Sequence, residues 1–378
     1  MRILIFNWRD IRHDWAGGGE VYVHELARRW VKSGHDVTLF CGQNAGKALP
    51  EREVMHGVRI IRRGGRFSVY FWAALYYFKE LKNNTDIIVD VQNGIPFFTP
   101  LYSLKPKLAV VYHIHDKQFF IELPFPINII GYCIEKYVFP FVYQRVCIQA
   151  ISKSTKTDLI HLGLPKKNIH IVYCGMNGTT KIITSNTKFS TPTVLYLGRI
   201  KKYKRVDSLV QIMHEVIKVH PKTRLIIAGW GTEASSVVNS AMMSSMRRHI
   251  HIMGPVSELE KKQLLSKSWV FVNPSINEGW GISVIEANLY GTPAIAYKVQ
   301  GLRDSIRQGK TGLLVNDENG FSDAINILLS DNKLRSTMGK QAKAWAMKFS
   351  WDKASKKSLR LLDSLLRRHK PYQKIRIS

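Results

Sequence analysis

The stretch Asn273-Pro-Ser-Ile-Asn-Glu-Gly-Trp-Gly-Ile-Ser-Val-Ile-Glu-Ala-Asn-Leu-Tyr-Gly-Thr-Pro293 decides how this chain is read. Just ahead of it, Trp269-Val-Phe-Val272 is a short apolar run stopped by Asn-Pro, the pattern of a buried parallel strand ending in a turn. Gly279 and Gly281 follow, and Ile282, Val284, Ile285, Ala287 and Leu289 then fall at the spacing of the inner face of a helix, which Gly291-Thr-Pro293 ends. A strand, a glycine turn and a helix N-terminus bring backbone N–H groups and the positive end of the helix dipole to one place, which suits a phosphate. Glu278 and Glu286 bracket that place, eight residues apart and a little over two helical turns. Carboxylates accept hydrogen bonds from hydroxyls, so the pair can hold two sugar rings on either side of a diphosphate. The alternative is that Glu278 caps the helix and Glu286 lies on its wet face.

Taken whole, Pro-Ser-x-x-Glu-Gly-Trp-Gly-x-x-x-x-Glu-Ala, followed by Gly-Thr-Pro, resembles the signature of the family 4 glycosyltransferases, with Trp280 where that family more often has Phe. The resemblance implies the GT-B fold, an α/β architecture of two Rossmann-like doubly wound domains facing each other across a cleft. It also implies a retaining hexosyltransferase that draws on a nucleotide-diphosphate sugar, a UDP- or GDP-sugar, with no cofactor beyond that donor. By the same resemblance Gly279, Trp280, Gly281, Ile282 and Glu286 are donor-binding, with Glu278 facing the sugar and Glu286 the ribose.

A chain of 378 residues is long for one core and suggests two domains of nearly equal size. The expected division is 1–185, 190–345 and a C-terminal amphipathic helix with a basic tail over 346–378, the boundary falling in the Thr-, Ser-, Asn- and Lys-rich stretch from Thr179 to Pro192. The net charge of +28 draws anions, and it is uneven: from Lys333 onward there are 14 basic side chains against 2 acidic ones. Cys41, Cys133, Cys147 and Cys174 lack the paired spacing of a zinc site and read as reduced thiols. The opening apolar run is too short for a signal peptide and no stretch suits a membrane span, so the expected place is the cytoplasm. The sequon-like triplets at Asn83 and Asn177 then carry no meaning.

In chain order, Ile3-Leu-Ile-Phe6 is a first strand, followed by a loop with Gly17, Gly18 and Gly19 and a helix from about Glu20 to Lys32. A glycine loop at the carboxyl edge of a first strand is where open parallel sheets bind ligands. Ala-Gly-Gly-x-Glu is similar to the family's amino-terminal loop, which implies contact with the donor diphosphate and sugar. From Val58 to Lys79, Arg59, Arg62, Arg63 and Arg66 precede Phe67, Tyr70, Phe71, Trp72, Tyr76, Tyr77 and Phe78. Such mixing suits a membrane surface, or a strand with solvated arginines followed by an ordinary core helix. Phe119 to Tyr143 repeats the question, its prolines and charges leaving room for a greasy acceptor lip.

Leu108-Ala-Val-Val-Tyr112 runs as a strand into His113-Ile-His115-Asp116. Histidine at a strand end can hydrogen-bond a sugar hydroxyl or a leaving phosphate. His-Asp after an apolar strand is similar to the family's amino-domain histidine, and the match favours His115. A zinc pair of His113 and His115 lacks a third ligand nearby. Later, Cys174-Gly-Met-Asn177 stands where the family usually has Asn-Gly-x-Asp.

The second domain opens on Val194-Leu-Tyr-Leu-Gly198, followed by Arg199, Lys201, Lys202, Lys204 and Arg205. Gly-Arg-x4-Lys-Arg after a strand is similar to the family's phosphate clamp, which assigns Arg199 and Lys204 to the diphosphate; the other reading is a solvated basic turn. The loop of Gly254, Pro255 and Val256 matches the one that lies against the nucleobase, and Trp230 reads as packing. Phe349-Ser-Trp351 opens a final helix with Leu359, Leu362, Leu365 and Leu366 inward.

The assembled expectation has catalytic His115, Glu278, Arg199 and Lys204, a helix N-terminus and cations in place of a metal, and a glycan or lipid-linked acceptor in cell-surface glycan, polysaccharide or glycolipid assembly. Carriage of that acceptor on lipid would bring the protein to an acidic membrane surface, peripherally on the inner face. The rivals are a nucleotide-sugar 2-epimerase on the same fold and a basic nucleic-acid binder. No recognised nucleic-acid module supports the latter, so nucleic acid is not an expected partner.

Overall fold

The computed structural model describes residues 1–46, 48–176 and 187–374, with side chains followed to residue 369. Asn177, most of the linker expected between Thr179 and Pro192, and the last four residues of the tail lie outside the described residues. The chain divides into two compact units, residues 1–175 with 350–378, and residues 176–349.

Among the described residues the first unit holds an eight-stranded sheet. Its strands are β1 (Arg2–Phe6), β2 (Asp36–Cys41), β3 (Arg52–Met55), β4 (Val58–Arg62), β5 (Ile87–Gln92), β6 (Lys107–Val111), β7 (Cys147–Ala150) and β8 (Ile169–Ile171). They lie in the order β3-β4-β2-β1-β5-β6-β7-β8. The central strands are apolar on both faces, as a parallel sheet covered on both sides requires. Only the β3–β4 pair is antiparallel, turned by His56 and Gly57, both at positive φ.

One face of this sheet carries Leu4, Phe6, Phe40 and Ile88 beneath Val69, Ala73, Tyr76 and Tyr77. Farther across, Ala109, Val111, Ile148 and Ala150 lie beneath Phe139 and Tyr143. Register places Leu4 beside Ile88 and Asp90 beside Ala109, so these clusters share one face. Asp90 joins them, accepting hydrogen bonds from the Thr99 hydroxyl and from the Tyr143 phenol. The helices over this face point Phe71, Leu75, Phe78, Leu101 and Phe141 outward into solvent.

The helix Gly18–Lys32 packs with the final helix, Trp351–Lys374. Arg29 pairs with Asp352 at 2.7 Å, and Tyr22 meets Trp351 with ring centroids 5.9 Å apart. The inward leucine stripe expected of the final helix is only partly observed. Leu362 is buried, Leu359, Leu365 and Leu366 are half-buried, and Trp351, Ala354, Ser355 and Ser358 complete the buried face. Small side chains let the helix lie close, and the Ser358 hydroxyl donates to Gln149 Oε1 at 2.7 Å.

In the second unit β9 (Thr193–Leu197), β10 (Arg224–Ala228), β11 (Ile250–Gly254), β12 (Val270–Asn273), β13 (Ala294–Tyr297) and β14 (Gly312–Val315) form a sheet ordered β11-β10-β9-β12-β13-β14. Every pairing in it is parallel. Its order reverses direction beside β9 and β12, and at such a switch point the carboxyl ends of neighbouring strands open a crevice for ligands. Val194, Val270 and Ile295 face one apolar cluster, and Leu195, Phe271 and Ala294 the other.

Candidate functional site

The carboxyl ends of β9 and β12 assemble the second unit's candidate residues. Asn273 ends β12, and its side-chain oxygen accepts from Ser275 N at 3.1 Å where the chain turns. Gly281 then stands as N-cap of the helix Ile282–Leu289 with φ of 78°. A Cβ there would meet Leu302 Cδ2 at 2.8 Å, so both backbone and space demand glycine. Glu278 does not cap this helix, whose first turn has no side-chain cap.

Glu278 forms an ion pair with Lys204, which stands in the short 3-10 turn Lys202–Lys204 after β9. Its Oε1 also accepts from Asn273 Nδ2 at 3.3 Å and from the Ser275 hydroxyl at 3.2 Å. Burial disfavours the charged Lys204 amine, but the neighbouring Glu278 carboxylate outweighs that and holds its pKa above the ordinary lysine value. Arg199 is half-buried on the same connection, its carbonyl accepting from the Tyr196 phenol at 2.7 Å.

Glu286 is held by Lys261 at 2.6 Å. Lys261 comes from the helix Glu258–Lys267, which is fixed by a capping box of Ser257 and Glu260. Burial again works against the Lys261 charge, and Glu286 turns the balance so that its pKa rises. Sequence reading missed Lys261, since no spacing rule ties it to a carboxylate 25 positions away. Gly254 ends β11 at φ of 69°, its carbonyl accepting from Gly229 N at 2.7 Å, and Val256 packs partly buried beside it.

The Trp280 side chain is 2 % exposed and lies edge-on to Phe349 at 5.0 Å, so it is the Trp280 backbone that this turn presents. Ile282 is half-buried, whereas Asn288 takes a fully buried position on the helix. Trp230, read as packing, is instead 43 % exposed in the loop after β10.

In the first unit the glycine stretch is shorter as a loop than expected. Gly17 is the N-cap, and Gly18 and Gly19 already belong to the helix. Glu20 fixes this turn, accepting from Gly17 N at 2.7 Å and pairing with Arg9 at 3.0 Å, while the Tyr112 phenol donates to the Gly19 carbonyl at 2.7 Å.

His115 follows β6 and is 15 % exposed. Its ring lies near-parallel to Phe119 at 5.1 Å and beside His113 at 4.3 Å. Glu135, only 2 % exposed, accepts from His115 N at 2.9 Å, from Asp116 N at 2.8 Å and meets His115 Nδ1 at 3.2 Å. Sequence reading gave Glu135 no part in a site, counting it only among the charges of the Phe119 to Tyr143 stretch. The expectation for Arg62 also changes: it is neither solvated nor at a docking surface. Its guanidinium is buried on Asp10 at 2.5 Å, Glu53 at 2.8 Å and the Pro50 carbonyl at 2.7 Å.

Among the described residues no three His, Cys, Asp or Glu side chains converge as a metal ligand set, and no helix is long and apolar enough to cross a membrane. The four cysteines are free thiols.

Two adjoining family models match the chain: Glycosyltransferase Family 4 over residues 16–178 and Glycosyl transferases group 1 over residues 179–345. An uncharacterized glycosyltransferase of Methanocaldococcus jannaschii is 24 % identical over 95 % of this chain and 97 % of its own. Sucrose-phosphate synthase from Thermosynechococcus elongatus has a similar fold, with a TM-score of 0.79 at 20 % identity, covering 96 % of this chain and 98 % of its own. Anabaena HepE, solved with UDP-glucose, gives a TM-score of 0.75 at 15 % identity over 96 % and 100 %. Between them the two models span residues 16–345, and this chain belongs to the family 4 glycosyltransferases, enzymes of the GT-B fold.

Proposed function

We propose that this enzyme transfers a hexose, with retention and without a metal, from a UDP- or GDP-sugar to a glycan or lipid-linked acceptor. The observation that carries this reading is the cluster at the switch point of the second sheet. There a cation, a carboxylate and a glycine-capped helix N-terminus stand together. Arg199, Lys204 and the N–H groups near Gly281 stabilise the charge that grows on the departing diphosphate. Entry of the diphosphate gives Lys204 a new anionic partner and releases Glu278 to accept from sugar hydroxyls. Glu286 takes the ribose hydroxyls and Gly254 and Val256 border the base, while the roles of the Gly17–Gly19 turn and of His115 toward the sugar follow from the family likeness alone. Retention follows from the family likeness alone.

The acceptor is carried at an acidic membrane surface, in this reading. Phe71, Phe78, Leu101 and Phe141 project from one layer of the first unit, with exposed Arg63, Arg66, Lys79, Lys82 and Lys136 on the same segments to meet lipid phosphates. Sedimentation with vesicles containing phosphatidylglycerol, and not with neutral ones, is the expected result; equal binding to both counts against it.

Thermal stabilisation by UDP, GDP and their sugars, with and without EDTA, tests the donor site. One nucleotide family should raise the midpoint regardless of EDTA. Incubation of the stabilising sugar nucleotide without acceptor separates transferase from 2-epimerase, since only the epimerase yields a product inverted at C2 of the sugar.

A further inference from the structure

We propose that Glu135 is a positioning residue that sets both the tautomer and the direction of the His115 ring; the inference rests on the assignment of His115 to the sugar. Glu135 lies in a π-helical turn, Ile134–Val138, between the helices Ile127–Cys133 and Phe139–Val142. Such turns displace one side chain from the regular helical rows. Here the displaced carboxylate is buried at 2 % exposure, and its hydrogen-bond partners among the described residues are His115 N, His115 Nδ1 and Asp116 N. A carboxylate only accepts, so the imidazole nitrogen facing it must carry the proton. In the neutral ring Nε2 is therefore the acceptor.

The rest of the pocket fixes where Nε2 points. Phe119 stacks on the ring at 5.1 Å with 28° between planes, and His113 lies at 4.3 Å with 32°. A Cβ placed on Gly94 would stand 3.7 Å from Nε2, and Gly94 has φ of 91°, so a glycine with no side chain borders this edge. Among the described residues Nε2 makes no hydrogen bond. Three sides of the ring are occupied by Glu135, Phe119 and His113, and the fourth offers a lone pair.

A carboxylate that merely pinned the backbone would need only the two amide bonds. These do matter, since Asp116 sits at φ of 46°, a conformation that costs energy for a residue with a side chain. The contact to Nδ1 is additional, and it is the arrangement by which an outer carboxylate orients a working histidine elsewhere.

The test uses the full chain labelled with 15N-histidine, in wild type and in Glu135→Gln and Glu135→Asp. In wild type at neutral pH, His115 should show a protonated Nδ1 and a bare Nε2; a protonated Nε2 overturns the proposal outright. In Glu135→Gln the tautomer preference should weaken, and turnover should fall by about 10- to 100-fold with KM for the sugar nucleotide little changed. Lost turnover with an unaltered tautomer makes Glu135 a backbone pin only and also overturns it. Should Glu135→Gln fail to fold, Glu135→Asp is read in the same way. Full turnover in His115→Ala would instead refute the role given to His115, while the wild-type tautomer would still report on Glu135.

Discussion

Lys204 and Glu278 neutralise each other, with side chains only 14 % and 15 % exposed. Removing either partner leaves a mostly buried charge alone, which costs on the order of 3 kcal/mol, whereas removing both costs less. Lys204→Met and Glu278→Gln should each lower the melting temperature by several degrees, and the double variant should recover most of that loss. None should recover turnover. Paired melts and rates check this, and a double variant less stable than both singles would contradict it.

Glu286 should act on binding more than on chemistry. Hydrogen bonds to a charged group contribute about 1.5–3 kcal/mol, so Glu286→Gln should raise the nucleotide Kd by roughly 10- to 100-fold. Turnover at saturating donor should stay near wild type. Titration calorimetry with the nucleoside diphosphate, beside steady-state kinetics, separates the two.

Gly281→Ala puts a side chain at φ of 78° and a Cβ 2.8 Å from Leu302 Cδ2. Strain of this kind costs about 1–3 kcal/mol and displaces the first N–H groups of the helix. Denaturant unfolding should show that loss, and donor affinity should fall with it.

His24 supplies a pH dependence. Its Nε2 lies 2.8 Å from His56 Nδ1, and burial, followed by the nearness of His56, lowers its pKa from 6.5 to about 4. Between these values the unfolded chain binds the proton more readily than the folded one. The stabilisation from keeping His24 neutral is thus present above pH 6.5 and is lost as pH falls through 4, by at most about 3 kcal/mol. Unfolding free energies at pH 7 and pH 4.5 should differ more in wild type than in His24→Gln.

What could be read from sequence was local. The strand Val270–Asn273, the glycine turn and the helix after it are consecutive residues whose apolar spacing and backbone needs declare themselves. The β3 hairpin was not legible, because Arg52-Glu-Val-Met55 alternates weakly and His56-Gly57 is an unusual turn pair. Glu135, Lys261 and the Arg62 network were hidden for a different reason. Each meets partners some 10 to 50 positions away, and only packing says which charge finds which. Ser355 and Ser358 on the final helix escaped because an apolar stripe was sought where close approach called for small side chains.

The first unit is discontinuous in sequence, and this sets an order of events on the ribosome. Residues 176–349 emerge as one uninterrupted stretch of 174 residues and can close their own core. The earlier sheet must wait for the helix beginning at Trp351, which supplies Ser358 to Gln149 and covers Tyr22. At about 5–20 residues per second, those 174 residues hold that seam open for roughly 10 to 35 s during synthesis. Until then Tyr22 and Gln149 lack the cover of Trp351 and Ser358 that the finished enzyme gives them.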